Sequence, residues 1–254
     1  MIRRFFMFHF FVSPENITEN TVTVVGDDVN HIKNVLRMKI GEKFIANDGN
    51  GGSYCCAVSE ITDERITAEI LEGQLSSTEL PVKLVLFQGL PKADKMELII
   101  QKAVELGVSE IVPVEMSRCV VKLDDKKKKS KITRWQSISE SAAKQSGRML
   151  IPEIHDVLNF KNALEYAKDF DVVFVPYECA DSMAKMKEKM AQIKSGMTVG
   201  IFIGPEGGYE KEEIENATAA GGEIVSLGKR ILRTETASIA ALAICMFNIE
   251  SNLL

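Results

Sequence analysis

Apolar and polar residues alternate along the first part of the chain with the two-residue period of half-buried β-strands. The glycine-rich stretch Asp48–Gly52 predicts a turn between two of the strands. One helix is predicted to interrupt them, capped by Asp27 or Asp28 and running through His31, Val35 and Leu36. The pattern therefore predicts a small β-barrel. Its predicted strands are Phe8–Val12, Thr21–Val25, Lys43–Asn47, Tyr54–Ile61 and Arg65–Leu71.

After Pro81 the pattern changes to strands that alternate with helices. The clearest helical period runs from Met96 to Leu106, and Gly107 follows it as a residue type that often ends helices. Such alternation predicts an α/β domain with a mainly parallel sheet, covered by helices on both faces. The predicted strands are Val82–Phe87, Glu110–Val114, Asp171–Val175, Thr198–Ile203 and Glu223–Ser226.

The polar stretch Gly73–Thr78 has neither period, so the domain boundary is placed there. We predict a β-domain over residues 1–72, a linker over 73–81 and an α/β domain over 82–254.

The composition, with 45% hydrophobic and 26% charged residues, is that of a globular protein. Without a run of about 18 apolar residues, no membrane span is expected. The opening MIRRFFMFHFFV lacks the small-residue cleavage site of a signal peptide, and Met7 is an alternative start. Five cysteines without a CxxC pair predict buried thiols in a reducing compartment, hence a cytoplasmic location. The three histidines lie far apart in sequence, which predicts no metal site.

Charge is unevenly distributed along the chain. From Arg118 to Arg148 ten Lys and Arg residues stand against three Asp and Glu, a net of +7, although the whole chain carries −5. Such asymmetry predicts a local basic surface suited to a phosphate backbone. The alternative is a solvated lysine-rich loop, because Lys126–Lys129 are four lysines in a row.

Two glycine-bearing loops follow predicted strands in the last quarter of the chain. Ile203–Tyr209 (IGPEGGY) follows a buried run, and Leu227–Ala237 (LGKRILRTETA) leads into an apolar segment. Glycines at such a strand end let the backbone approach a ligand, and exposed amides there bind polar groups. The alternative is a pair of tight turns. A Rossmann or NTPase site is not supported, because the sequence has neither G-x-G-x-x-G after a strand nor a P-loop.

The two loops, in this order, resemble those of SPOUT RNA methyltransferases, and within them the small-subunit (16S) ribosomal RNA uridine-N3 methyltransferases, the RsmE family. Further similar segments are His31–Arg37, Asp94–Gly107, Arg134–Trp135 and Ala142–Arg148, so the resemblance covers nearly the whole chain. Ser141 departs from it, since many relatives have Glu there. The resemblance implies a PUA-like RNA-binding domain followed by a SPOUT domain with a deep trefoil knot, an exception to the rule that folds are unknotted.

The resemblance also implies S-adenosylmethionine as cofactor and N3 of a uridine in small-subunit ribosomal RNA as methyl acceptor. The residues implied in cofactor binding are Phe87, Gly89, Ile203, Gly204, Pro205, Gly207, Gly208, Leu227, Gly228, Ile231 and Leu232. The basic residues expected to bind RNA are Arg37, Lys92, Arg118, Lys126, Lys127, Lys128, Lys129, Arg134 and Arg148.

The implied chemistry selects two candidate catalytic residues. Uridine N3 carries a proton at neutral pH, so the site must let it leave and stabilise the resulting anion. Arg233 is the candidate cation, with an ion pair to Glu206 or Glu235 as the alternative. Glu206 is expected either to act as a base or to orient a loop amide.

Three further interpretations concern function and assembly. A SPOUT enzyme acting on another RNA base or on a ribose hydroxyl remains open, as does a non-catalytic RNA-binding factor, although a pure binder would not need cofactor loops. The apolar last helix, Thr236–Phe247, is expected to be buried either in a homodimer, which the resemblance implies, or in its own core.

Overall fold

The computed structural model describes residues 7–180 and 183–253. The chain divides into two compact units, residues 1–79 with 143–151, and residues 80–142 with 152–254. The segment 143–151 joins the first unit, whereas the domains proposed from sequence are continuous. Within that unit, the Glu79 carboxylate accepts the N–H of Met149 at 2.8 Å and pairs with the guanidinium of Arg148. The opening MIRRFF, on which the signal-peptide comparison rests, lies outside the described residues.

The first unit is built on a five-stranded sheet with the order β1-β3-β4-β5-β2. The β1–β3 pairing is parallel and the other pairings are antiparallel. Phe10, Phe44 and Ile66 are among the fully buried side chains of its core. The predicted small β-domain is confirmed. Its strands are β1 (His9–Phe11), β2 (Thr21–Val25), β3 (Lys43–Asn47), β4 (Ser53–Ile61) and β5 (Arg65–Glu72).

The predicted helix of this unit is present, but its cap was wrongly predicted. Helix α1 (Asp27–Asn30) continues as a π-helical turn, His31–Val35. The N-cap residue is Gly26, at φ 72°, and Asp27 and Asp28 lie inside the first turn. Their carboxylates therefore stabilise the helix through its dipole rather than by capping it.

The second unit contains a seven-stranded sheet with the order β12-β10-β11-β6-β7-β8, and β9 also pairs with β7. All the described pairings in this sheet are parallel, as predicted. Its strands are β6 (Lys83–Gly89), β7 (Glu110–Glu115), β8 (Glu153–Ile154), β9 (Leu158–Asn159), β10 (Val172–Pro176), β11 (Thr198–Ile203) and β12 (Glu223–Val225). Its helices are α2 (Lys95–Glu105), α3 (Asp125–Ser146), α4 (Phe160–Tyr166), α5 (Ala184–Met190), α6 (Lys211–Ala219) and α7 (Thr234–Leu253). The last four residues of α3, from 143 onward, are assigned to the first unit.

The core of the second unit lies around β6 and β11. The rings of Phe87 and Phe202 stack with their centroids 4.1 Å apart, and both side chains are fully buried. Helix α7 contacts α2 and β11 and buries Leu242 and Cys245 completely. By length and apolar composition α7 could also cross a membrane, but a core helix of a soluble protein passes the same test. The trefoil knot stays a prediction.

Candidate functional site

The site lies where the parallel strands of the second sheet end. Strand β11 has β10 on one side and β6 on the other, and β12 follows β10. Because parallel strands present their carboxyl ends at one edge, the loops after β10, β11 and β12 meet there. This edge is where open α/β sheets usually bind ligands.

These loops enclose a pocket of about 490 Å³. A smaller cavity of about 90 Å³ shares Pro176, Glu178, Ile231, Leu232 and Ala237 with it. The volume of the larger pocket is in the range of small-molecule sites, whereas the smaller cavity is below that range. A larger groove of about 1290 Å³ is lined by α4 and α6, but it contains none of the predicted site residues. The pocket is lined by Lys95, Pro176, Glu178, Ile203–Tyr209, Ile231–Thr234 and Ala237.

The loop after β11 needs its glycines for two different reasons. A Cβ on Gly207 would lie 2.9 Å from the Cβ of Arg118, so no side chain fits without a shift. Gly208 has φ +66°, in the left-handed region that favours glycine. The hydroxyl of Tyr209 donates to the carbonyl of Phe202 at 2.8 Å and closes the loop on its own strand.

A buried polar network joins this loop to the start of α7. The Thr234 hydroxyl donates to the Gly204 carbonyl at 2.7 Å and accepts from Gln88 Nε2 at 3.0 Å. Ser238 donates to Gln88 Oε1 or to the Thr234 carbonyl. Gln88, Thr234 and Ser238 are all buried, so breaking one bond would leave an unsatisfied polar group. The network therefore fixes both glycine loops against β6.

Most of the predicted cofactor residues are brought together here. Ile203, Gly204, Pro205, Gly207 and Gly208 line the larger pocket. Leu227 and Gly228 line the smaller cavity, and Ile231 and Leu232 line both.

Phe87 and Gly89 do not line either space. Phe87 is fully buried in the core against Phe202. A Cβ on Gly89 would lie 2.7 Å from the backbone nitrogen of Pro205. Their positions are explained by packing, so we leave both residues out of the proposed cofactor contacts.

Arg233 lies at the pocket and is exposed. Within the described residues it forms no ion pair, so the predicted alternative of a pair with Glu206 or Glu235 is not seen. Both carboxylates instead contact Lys95, whose Nζ lies 3.0 Å from Glu206 Oε1 and 3.1 Å from Glu235 Oε2. The hydrogen bond to Glu206 is the largest factor raising the pKa of Lys95.

Glu206 is held as an anion by several donors. Its Oε1 accepts the backbone N–H of Lys92 at 3.1 Å in addition to contacting Lys95. Burial raises the pKa of Glu206, but its own N–H, Lys95 and Lys92 outweigh that effect and the pKa lies below its ordinary value. A carboxylate with a lowered pKa is a weak base, so these contacts favour the orienting role over proton removal.

The sequence analysis missed several residues of the pocket. Pro176, Tyr177 and Glu178 come at the end of β10, and Thr234 and Ala237 open α7. The strand-end rule, applied to β10, would have indicated Glu178. Lys95 gave no such signal, because it belongs to a helix and not to a loop that follows a strand.

The predicted RNA-binding residues fall into three groups. Arg37, Lys92, Lys126, Lys127 and Lys129 are exposed, with Lys127 paired to the exposed Asp124. Arg118, Lys128 and Arg134 contact Glu210, Glu115 and Glu97 respectively. Arg148 is only 5% exposed and pairs with Glu79, which does not fit a phosphate contact. The four lysines lie in the first turns of α3 and not in a loop.

Two expectations from residue spacing are modified by the fold. Glu110, Glu153 and His155 come together with ligand atoms within 4.8 Å, although the histidines predicted no metal site. Glu110 already contacts Lys83 and accepts the Tyr166 hydroxyl at 2.8 Å, so its charge is compensated without a metal.

Four cysteines are buried as predicted, but Cys179 is exposed.

Known proteins share both the sequence and the fold. Residues 78–246 match the family described as an RNA methyltransferase domain, and residues 26–71 match an RNA methyltransferase PUA domain. Ribosomal RNA small subunit methyltransferase E of Bacillus subtilis is 38% identical over 233 residues, 91% of each chain. That of Mesomycoplasma hyopneumoniae is 36% identical over 94% of this chain and 99% of its own.

A solved structure is similar over nearly the whole length. It is a ribosomal RNA small subunit methyltransferase E from Neisseria gonorrhoeae bound to S-adenosyl methionine, with a TM-score of 0.81 and 32% identity. The match covers 95% of this chain and 97% of that one. The two-domain architecture, the pocket at the strand ends and these similarities lead to one conclusion: the chain belongs to the family of ribosomal RNA small subunit methyltransferases E.

Proposed function

We propose that this protein transfers a methyl group from S-adenosylmethionine to N3 of a uridine in small-subunit ribosomal RNA. The observation that carries the proposal is the pocket itself. The two glycine loops, Ile203–Tyr209 and Leu227–Ala237, line it in a chain that belongs to this family. Arg233, which forms no ion pair among the described residues, lies at its edge.

The residues of the pocket fit the cofactor. Gly207 and Gly208 let the loop backbone line the pocket, because a Cβ at Gly207 would collide with Arg118 and Gly208 has φ +66°. Glu178 lines the pocket and supplies negative charge to a cationic ligand. When bound, S-adenosylmethionine supplies an electrophilic methyl group, and the two loops hold it in line with the acceptor.

Arg233 is proposed to stabilise the acceptor as the N3 proton leaves. A fixed cation near O2 and O4 lowers the energy of the uridine anion, and a guanidinium that has no ion pair within residues 7–180 and 183–253 is available for this. Glu206 is proposed to orient the segment around Lys92, in keeping with its hydrogen bond to that N–H. The group that accepts the N3 proton is left open.

RNA binding is proposed for the exposed basic residues of each unit taken separately. Arg37 serves in the first unit, and Lys92, Lys126, Lys127 and Lys129 serve in the second. Such contacts position the substrate and carry no sequence information. At Arg118, Lys128 and Arg134 a phosphate would have to displace a carboxylate.

We further propose a homodimer and a cytoplasmic location. Helix α7 buries Ala241, Leu242 and Cys245 but leaves Phe247 70% exposed and Ile244 36% exposed. A helix that is apolar on its exposed side as well has a surface to offer to a second copy. The cytoplasm is where ribosomal RNA is available as substrate.

The experiment that tests the proposed reaction is methylation of small subunits from a strain that lacks the protein. Subunits are incubated with the purified chain and S-adenosylmethionine, then digested to nucleosides for mass spectrometry. The proposal expects one new methyl group, as 3-methyluridine. A 2′-O-methyl nucleoside or another methylated base would support the other SPOUT interpretation. RNA binding without methylation would support the non-catalytic one.

A separate experiment tests the cofactor contacts. Calorimetry with S-adenosylhomocysteine should show binding that is lost in Gly207→Val, because the new side chain would collide with Arg118. Gly73→Ala is the matched control, since its Cβ would make only an ordinary contact, 3.4 Å from Tyr54. Equal affinity in Gly207→Val and the parent protein would exclude the assigned loop.

A further inference from the structure

Lys95 occupies a position that is unfavourable for its own helix. It is the first residue of α2, where the helix dipole is positive and a cation is destabilising. Asp94 precedes it without making a side-chain cap, and Ala93 has φ 54°, in the left-handed region. A residue that violates local preference is often held in place for function.

The ammonium of Lys95 joins three separate segments around the pocket. Its Nζ contacts Glu206 in the loop after β11 and Glu235 in the first turn of α7. Glu235 stands two residues after Arg233, and Arg233 lines the same pocket as Lys95 and Glu206. Lys95 is therefore shared by the two carboxylates that were the candidate partners of Arg233.

Loss of Lys95 would remove the cation that these two carboxylates share. Glu235 Oε2 is buried, and Lys95 is the partner of its ion pair. Besides Lys95, the cation that lowers the pKa of Glu235 is Arg233, at longer range. The Glu235 side chain is only 17% exposed, so without Lys95 its carboxylate would attract the nearby guanidinium of Arg233.

We propose that Lys95 is a positioning residue for the methyl transfer. By holding Glu206 and Glu235, its ammonium keeps these two carboxylates from pairing with the guanidinium of Arg233, which stays available to the acceptor base. Lys95 and Arg233 also balance the charge of Glu178 and Glu206, the two carboxylates that line the pocket. The inference rests on the proposed function, specifically on the role given to Arg233.

The test is a rate measurement on the full chain with Lys95→Met. Its single-turnover rate of RNA methylation should fall about 10-fold to 100-fold, the loss typical when an outer partner of a site group is removed. Affinity for S-adenosylhomocysteine should stay within about twofold of the parent value, because Lys95 holds side chains and not the loop backbone. A parent-like rate would overturn the proposal.

A double-variant cycle with Arg233→Ala separates positioning from a general structural role. If Lys95 acts through Arg233, Lys95→Met should slow the Arg233→Ala protein no further. An equal additional loss in that background would overturn the proposal. A normal rate for Arg233→Ala alone would instead refute the role of Arg233, which is a distinguishable failure of the proposed function.

Three further variants complete the design. Lys102→Met is the matched control, because Lys102 lies on the same helix and pairs with Glu105 away from the pocket, at 2.7 Å. Adding Glu235→Gln to Lys95→Met should restore part of the rate, because the buried charge is removed as well. If Lys95→Met does not fold, Lys95→Gln is used, with the same expected loss and the same overturning result.

Discussion

The guanidinium of Arg118 donates two hydrogen bonds to the carboxylate of Glu210, from Nε to Oε1 at 2.8 Å and from Nη2 to Oε2 at 3.2 Å. Its third nitrogen, Nη1, donates to the carbonyl of Gly207 at 3.0 Å. Arg118, which was expected to contact phosphate, thus donates its hydrogen bonds to Glu210 and to the glycine loop. Because Glu210 caps α6 and Gly207 belongs to the pocket, Arg118 ties both to the end of β7.

Arg118→Lys should therefore weaken cofactor binding. A lysine cannot reproduce the planar fork that contacts both oxygens and the carbonyl. We expect affinity for S-adenosylhomocysteine to fall about tenfold, equivalent to ~1.4 kcal/mol, as measured by calorimetry. If cofactor affinity is kept and only the salt dependence of RNA binding changes, Arg118 is a phosphate contact as first expected.

The exposed lysines of α3 should govern the salt dependence of RNA binding. Replacing Lys126, Lys127 and Lys129 by Gln removes three cations from the surface. The slope of log affinity against log salt should become shallower by about 2, since each phosphate contact to a single strand contributes about 0.7. Filter binding over a salt series measures this slope.

Lys128 provides the control on the same helix. It is half-buried and pairs with Glu115 at 3.0 Å, so Lys128→Gln should change the slope much less than a change at its neighbours. An unaltered slope in the triple variant would mean that the lysines are only solvated surface.

The elements that were predicted well are those whose signal is local. Thr21–Val25 and Thr198–Ile203 were placed at their observed ends because apolar, β-branched runs bounded by polar residues specify strands directly. The two-residue strands Glu153–Ile154 and Leu158–Asn159 were missed, since a periodic pattern needs more residues to show. The cap at Gly26 was missed because an aspartate is the commoner cap.

The site was predicted as far as its loops, but not its side-chain pairing. Glycine spacing indicated where backbone would approach a ligand. The choice of Lys95 as partner of Glu206 and Glu235 depends on how three distant segments meet, which no spacing reveals. Phe87 was misplaced because a buried strand does not tell which of its residues reach the pocket.

His155 should make stability depend on pH. The hydrogen bond to Glu110 is the main factor raising the pKa of His155, and the same contact helps lower the pKa of Glu110 to about 2. A raised folded-state pKa stabilises the protein below the unfolded value, and this stabilisation is lost as pH rises through the folded pKa. His155→Gln should thus lower the melting temperature at about pH 5.5. The free energy of unfolding should fall by about 1 kcal/mol or less.

The same variant should match the parent protein more closely at about pH 8.5, because loss of the His155 proton removes the charge that Glu110 stabilises. Thermal unfolding followed by circular dichroism at both pH values measures the difference. A loss that is equal at the two values would show that packing against Tyr166, and not charge, is what His155 contributes.

The exposed side of α7 should determine assembly. Phe247→Asp places a charge on the surface proposed to pair. The variant should sediment as a monomer of 28.2 kDa, whereas the parent protein is expected to sediment as a dimer. Ile40→Asp is the control, because Ile40 is also 70% exposed but lies in the first unit. A parent protein that sediments only as a monomer at micromolar concentration would refute the dimer.

Arg233 is the residue on which the proposed chemistry depends. The single-turnover rate of the Arg233→Ala variant tests that role most directly. Arg233→Ala should methylate RNA roughly 10²–10³ times more slowly, the usual effect of losing one preorganised donor. Its affinity for S-adenosylhomocysteine and RNA should be nearly normal. Raising the pH from about 6.5 to about 9.5 should recover part of the rate, because solvent then removes the N3 proton more readily. Loss of cofactor affinity in step with the rate would contradict the account and make Arg233 a cofactor residue.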